Sequence, residues 1–127
     1  MKTLHSVTAV IELGAGLAFL CLSSTTAKLL VGLPLDTATA LTVARICGAG
    51  LFSLGVACWL ARGDTQSRAA KGLIAALLVY NAGVAVILTF AGLNFGLHGV
   101  ALWPAVVLHS VMAIWCIVCL RREFGRT

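Results

Sequence analysis

Charge is what this sequence has least of. Of its 127 residues only 10% are charged, 9 Lys or Arg and 4 Asp or Glu, whereas 61% are hydrophobic. Soluble domains carry about 25% charged residues, so this chain lacks the means to cover a water-facing surface, and the same apolar excess excludes disorder. Proline is nearly absent at 2 residues, which with 13 unperiodic glycines excludes a collagen-like chain. The net charge of +5 does not make a nucleic-acid module, because the basic residues are scattered at segment ends and form no patch with interleaved aromatics. Catalytic signatures are missing too: there is no G-x-S-x-G, no H-E-x-x-H and no phosphate-binding glycine loop. No enzyme activity and no cofactor is implied.

What remains is long apolar runs. The mean hydropathy is +1.06, and runs of about 20 residues, enough to cross a bilayer, occur at Leu4–Leu22, Thr39–Ala61, Ala69–Gly92 and Leu102–Leu120. The expected fold is all-α, a single four-helix membrane domain over residues 1–127. Between the first two spans, Ser23-Ser24-Thr25-Thr26 and Lys28 precede the apolar piece Leu29–Leu35, which Gly32 and Pro34 break; it is too short to span and reads as an interfacial turn or short helix. The polar turn from Arg62 through Thr65 and Gln66 to Arg68 offers Asp64 or Ser67 as a cap for the third span. Pro104 falls in the first turn of the fourth, where its missing N–H does no harm.

Lys2, Arg62, Arg68, Lys71, Arg121, Arg122 and Arg126 lie on one side and only Lys28 on the other. By the positive-inside rule both termini are expected in the cytoplasm, and the lipid bilayer is the expected partner, with no nucleic acid. The first 27 residues also resemble a secretory signal peptide, but Glu12 interrupts the apolar core such a peptide needs, so retention as a span is expected.

Every span holds a polar residue well inside it: Glu12, Arg45, Asn81 and His109. A charge at mid-bilayer costs about 2.5 to 3.5 kcal/mol on insertion scales, so such residues face the bundle interior and pair. At ~1.5 Å per residue from the outer end, Glu12 lies about 15 Å deep, Arg45 about 9 Å, Asn81 about 16 Å and His109 about 10 Å. Long side chains close those gaps, giving one polar layer with Glu12 and Arg45 as its ion pair. Helix periodicity supports this: Arg45 shares a stripe with Gly48, Phe52, Gly55 and Trp59, and Glu12 with His5, Gly16 and Phe19. Small residues on such stripes mark close helix contacts in membranes. Tyr80 adjoins Asn81 at mid-span and reads as a hydrogen-bond partner for a neighbouring helix or for a ligand.

Two functions follow from that layer. A matched Glu–Arg pair satisfies itself and favours a scaffold or accessory subunit, as a homo-oligomer or within a larger complex. A layer open to a polar pocket would instead bind a small anionic ligand at Arg45, with Glu12 as a protonatable neighbour, or couple protons to transport. Of the 5 Cys, Cys116 and Cys119 form a C-x-x-C and Cys58 lies at similar depth, weak candidates for a metal or redox site with only Glu123 nearby. Bis-His haem is disfavoured because His5, His98 and His109 lie at different depths. Trp59, Trp103, Trp115, Phe95 and Phe124 read as interfacial anchors.

Four spans with Glu12 in Val10-Ile11-Glu12-Leu13-Gly14 resemble the small multidrug resistance transporters, a resemblance that implies proton-coupled transport through that carboxylate. It departs from them in Arg45, in the absent substrate-cage aromatics and in a fourth span without Gly. Over most of its length, through Gly32-Leu33-Pro34-Leu35-Asp36, Thr42-Val43-Ala44-Arg45, Ala57-Cys58-Trp59-Leu60-Ala61-Arg62 and Leu102-Trp103-Pro104-Ala105, the chain is similar to small bacterial DoxX-like four-helix proteins. That similarity implies a bundle in the bacterial inner membrane and supplies no activity.

Overall fold

The computed structural model describes residues 1–64 and 67–124, with side chains through 122. Thr65, Gln66 and Arg126 therefore lie outside the described residues, as do the side chains of Glu123 and Phe124. Five helices follow in order: α1 (Lys2–Cys21), α2 (Ser23–Val31), α3 (Ala38–Ala61), α4 (Arg68–Asn94) and α5 (Leu102–Phe124), with no strand among the described residues. All but α2 are long and apolar enough to cross a membrane. The spans expected from sequence are all present, longer by a few residues at some ends.

Local chemistry fixes the helix starts. Thr37 caps α3 by accepting from the Ala40 N–H, and Ser67, not Asp64, caps α4 by accepting from Ala70. Asp64 acts one step earlier, its Oδ1 accepting the Ser67 N–H at 3.0 Å. The short connecting helix is not where the apolar run Leu29–Leu35 suggested. It begins at Ser23, because Ser23 and Thr26 turn their hydroxyls back onto the carbonyls of Phe19 and Ala18 and so carry the chain past the break at Leu22. It ends at Gly32, whose φ of +87° makes the left-handed helix cap that glycine accepts without strain. Ser24 then both donates to the Leu35 carbonyl and accepts its N–H, pinning the Pro34 loop.

Two antiparallel pairs make the bundle, α1 on α3 and α4 on α5, and the backbones of one pair scarcely approach those of the other. The first pair is the tighter because glycine lets its backbones touch. A Cβ on Gly16 would stand 2.5 Å from the Phe52 nitrogen, one on Gly48 2.9 Å from the Gly16 oxygen, and one on Gly55 2.8 Å from the Leu13 nitrogen. These contacts also fix the register, with Gly16 opposite Phe52, Leu13 opposite Gly55 and Leu20 opposite Gly48.

Along the bundle axis the two halves differ. Toward the end that carries the termini, Leu4, Ala9, Cys58, Ile74, Leu77, Met112, Cys116 and Cys119 close into one buried core that joins all four long helices. Toward the other end the pairs separate and α2 lies across the gap, tied to the start of α5 by the Ala101 N–H on the Leu29 carbonyl at 2.9 Å. Large apolar side chains such as Leu60, Val79, Ile87 and Val111 are exposed around the outside, as a lipid-facing surface requires.

Candidate functional site

The gap between the pairs is a cavity of about 670 Å³. Its walls are apolar, with Phe19, Leu51, Leu54, Val84 and Leu88 among them, and α2 roofs it with Leu29 and Leu30. Three polar side chains form its floor, where the cavity meets the packed core: Glu12 from α1, Tyr80 from α4 and His109 from α5.

Two sets of hydrogen bonds, joined by a ring contact, link three helices. Tyr80 Oη donates to Glu12 Oε2 at 3.2 Å, and the Tyr80 ring stands edge-on to the His109 imidazole with centroids 5.6 Å apart. His109 Nδ1 meets Asn81 Oδ1 at 2.8 Å, and Asn81 Nδ2 donates to the Leu77 carbonyl at 2.8 Å. That last bond fixes the others. Because the amide nitrogen is committed to Leu77, the amide oxygen faces the ring and takes a proton from Nδ1, which makes Nε2 the nitrogen left free to exchange with the cavity. Glu12 and Asn81 are both 2% exposed, so the floor is set in the interior of the bundle.

Glu12, Tyr80, Asn81 and His109 are thus brought together as the sequence suggested, but Arg45 is not among them. It is exposed and lines no part of the cavity. The register explains the difference: Gly48 packs at Leu20, so Arg45 stands beyond the end of α1, about 16 Å of helix rise from the level of Glu12. No side chain spans that. The buried stripe of α3 is Ala44, Gly48, Gly55 and Cys58, one residue round from the stripe drawn through Arg45 and Trp59. Gly48 lies four residues from Ala44 and three from Arg45, and helical periodicity allows both.

Cys58, Cys116 and Cys119 do converge, all buried and reduced in the core. Among the described residues, no three His, Cys, Asp or Glu are placed to hold a metal ion. Trp59 and Trp103 are about half exposed near helix ends, with the Arg62 guanidinium over the Trp59 ring. Trp115 instead packs against the core.

Sequence reasoning missed two buried polar residues as a feature of their own. His5 and Thr8 are 0% and 1% exposed, and His5 Nδ1, His5 Nε2 and Thr8 Oγ1 have no hydrogen-bond partner. The signal was present in the spacing His5, Thr8, Glu12, a single face of α1. Comparison with known proteins finds no matching family model, no matching curated protein and no matching solved structure.

Proposed function

We propose that this protein is a multi-pass membrane protein that holds a small, largely apolar molecule between its two helix pairs, with the molecule's polar end on Glu12, Tyr80 and His109. The observation that carries the reading is a buried carboxyl at the floor of an apolar cavity, hydrogen-bonded to a tyrosine and not neutralised by the expected arginine. A scaffold needs its buried polar groups to satisfy one another, whereas a binding site keeps acceptors free for a guest. Here Glu12 and His109 Nε2 are such acceptors, so the guest brings a hydrogen-bond donor. This departs from an anionic ligand on Arg45.

Exposure of the cavity wall favours access from the bilayer. Apart from Leu29 on the roof, the exposed lining residues are Cys47 and Gly50 on α3 and Leu108 on α5. The guest is therefore a lipid-soluble compound that slips between α3 and α5. We place the chain in the bacterial inner membrane with both termini cytoplasmic, on the distribution of its basic residues. A carboxyl in this position also serves proton-coupled transport, the second reading, favoured by Glu12 itself.

Binding of 1-naphthol, an apolar bicycle with one hydroxyl, tests the proposal by fluorescence in mild detergent. Saturable binding is expected, weakened about tenfold or more by Ala105→Trp, which fills the cavity, and by Glu12→Gln with His109→Phe at the floor. Binding indifferent to all three substitutions would remove the cavity as the site.

A further inference from the structure

The floor of the cavity is reached from the other side as well. His5, Thr8 and Glu12 stand three and four residues apart on α1, so they stack on one face and run from the end of the bundle that carries the termini up to the cavity. All three are almost wholly buried, at 0%, 1% and 2% exposed. Successive members are separated by rises of about 4.5 and 6 Å. No direct hydrogen bond joins His5 to Thr8 or Thr8 to Glu12, because the His5 ring nitrogens and Thr8 Oγ1 are without partners.

The unpaired atoms say the same. A threonine in a helix ordinarily returns its hydroxyl to a carbonyl one turn back, as Thr42, Ser53, Thr89 and Ser110 all do here. Thr8 does not, and its Oγ1 is buried without a partner. Both ring nitrogens of His5 are buried and unpartnered, although the Ala61 backbone lies close by, out of hydrogen-bond geometry. Three orphaned polar atoms on consecutive turns are costly in a core that is otherwise Leu, Ile, Met, Ala and Cys, and ordered water is how proteins normally satisfy such groups. Beyond His5 the charged groups within electrostatic range of the ring are the Met1 amino group and, after the end of α3, Asp64. The groups that flank the file are Cys58 on α3, Tyr80 and Asn81 on α4, and His109 and Cys116 on α5. Of these, only Tyr80 bonds to a member of it.

We propose that His5 and Thr8, bridged by water, are a proton path between the face bearing the termini and Glu12. A proton leaves the Glu12 carboxyl for the first water, and Thr8 Oγ1 accepts one proton as it passes its own to the second water. His5 takes a proton on one ring nitrogen and releases one from the other toward Asp64 and solvent. Glu12 is left as a carboxylate, no electrons move, and the reverse sequence reloads it. The guest and the proton then reach one carboxyl from opposite directions, the guest beneath α2 and the proton along α1. The path needs no guest, so its failure would leave the binding proposal standing, and loss of 1-naphthol binding would leave the path standing.

The test is infrared detection of the Glu12 carboxyl, its band identified by loss in Glu12→Gln, in vesicles where the full chain is inserted in one orientation. A pH step on the face bearing the termini is expected to change the band at least tenfold faster than the same step on the opposite face. Thr8→Val, which keeps the shape and removes the hydroxyl, and His5→Phe are each expected to slow the response at least tenfold without moving its equilibrium midpoint, and Thr8→Ser to restore it. Equal response to steps on the two faces in the unmodified chain, which needs no variant to fold, would overturn the path. So would unchanged rates in both Thr8→Val and His5→Phe.

Discussion

The half of the bundle near the termini and the half under α2 are built from the same four helices and nearly the same residue types, yet one is filled and the other holds about 670 Å³ of space. In the filled half, Leu4, Ile74 and Leu77 are fully buried and Met112 nearly so, and side chains from both pairs interdigitate. In the open half, glycine draws α1 and α3 together at Gly16 and Gly48 and leaves their other sides facing a gap that α2 covers without entering. Close packing within a pair and close packing between pairs are thus separate achievements. The polar floor sits at the boundary between them, held by the core below and open above, as a rigid site requires.

The largest test of this contrast is steric. Gly16→Leu drives a side chain into the Phe52 backbone and is expected to destabilise the protein by about 3 kcal/mol or more, read by denaturant titration in micelles. Gly50→Leu is expected to be almost silent in the same assay, because a Cβ there meets nothing within 4 Å. Next in size is the comparison of walls. Leu77→Ala in the filled half should cost about 2 to 5 kcal/mol, as cavity-forming truncations do. Leu51→Ala on the cavity wall enlarges an existing space and should cost under about 1.5 kcal/mol, so equal losses at the two positions would erase the distinction. Smallest is Arg45→Leu, expected within about 0.5 kcal/mol of the unmodified chain because the side chain is exposed and holds nothing in the floor. A loss of several kcal/mol would return Arg45 to the interior.

Much of this architecture is legible in the residues. Length and hydropathy give the four spans, Ser67 and Pro104 mark helix starts, and the glycines of α1 and α3 announce a close pair. The burial of Glu12 and Asn81, and the half-burial of His109, follow from the cost of polarity in lipid. Partner choice is what periodicity leaves open. Arg45 and Ala44 are neighbours on a helix whose glycines fit either face, and only the register against α1 selects Ala44. Tyr80 and Asn81 point about 100° apart, yet both serve the site because α1 and α5 approach α4 from different sides. The cavity has no sequence signal at all, since it arises where the two pairs separate, and its walls read like any apolar stripe.

Glu12 answers to Tyr80 at a cavity floor and not to Arg45 in an ion pair. Double-mutant cycles on unfolding in micelles measure this directly, pairing Glu12→Gln with Tyr80→Phe and, separately, with Arg45→Leu. A coupling of about 0.5 to 1.5 kcal/mol with Tyr80, the range of a single hydrogen bond, is expected, and additivity with Arg45. Strong coupling to Arg45 with none to Tyr80 would contradict it.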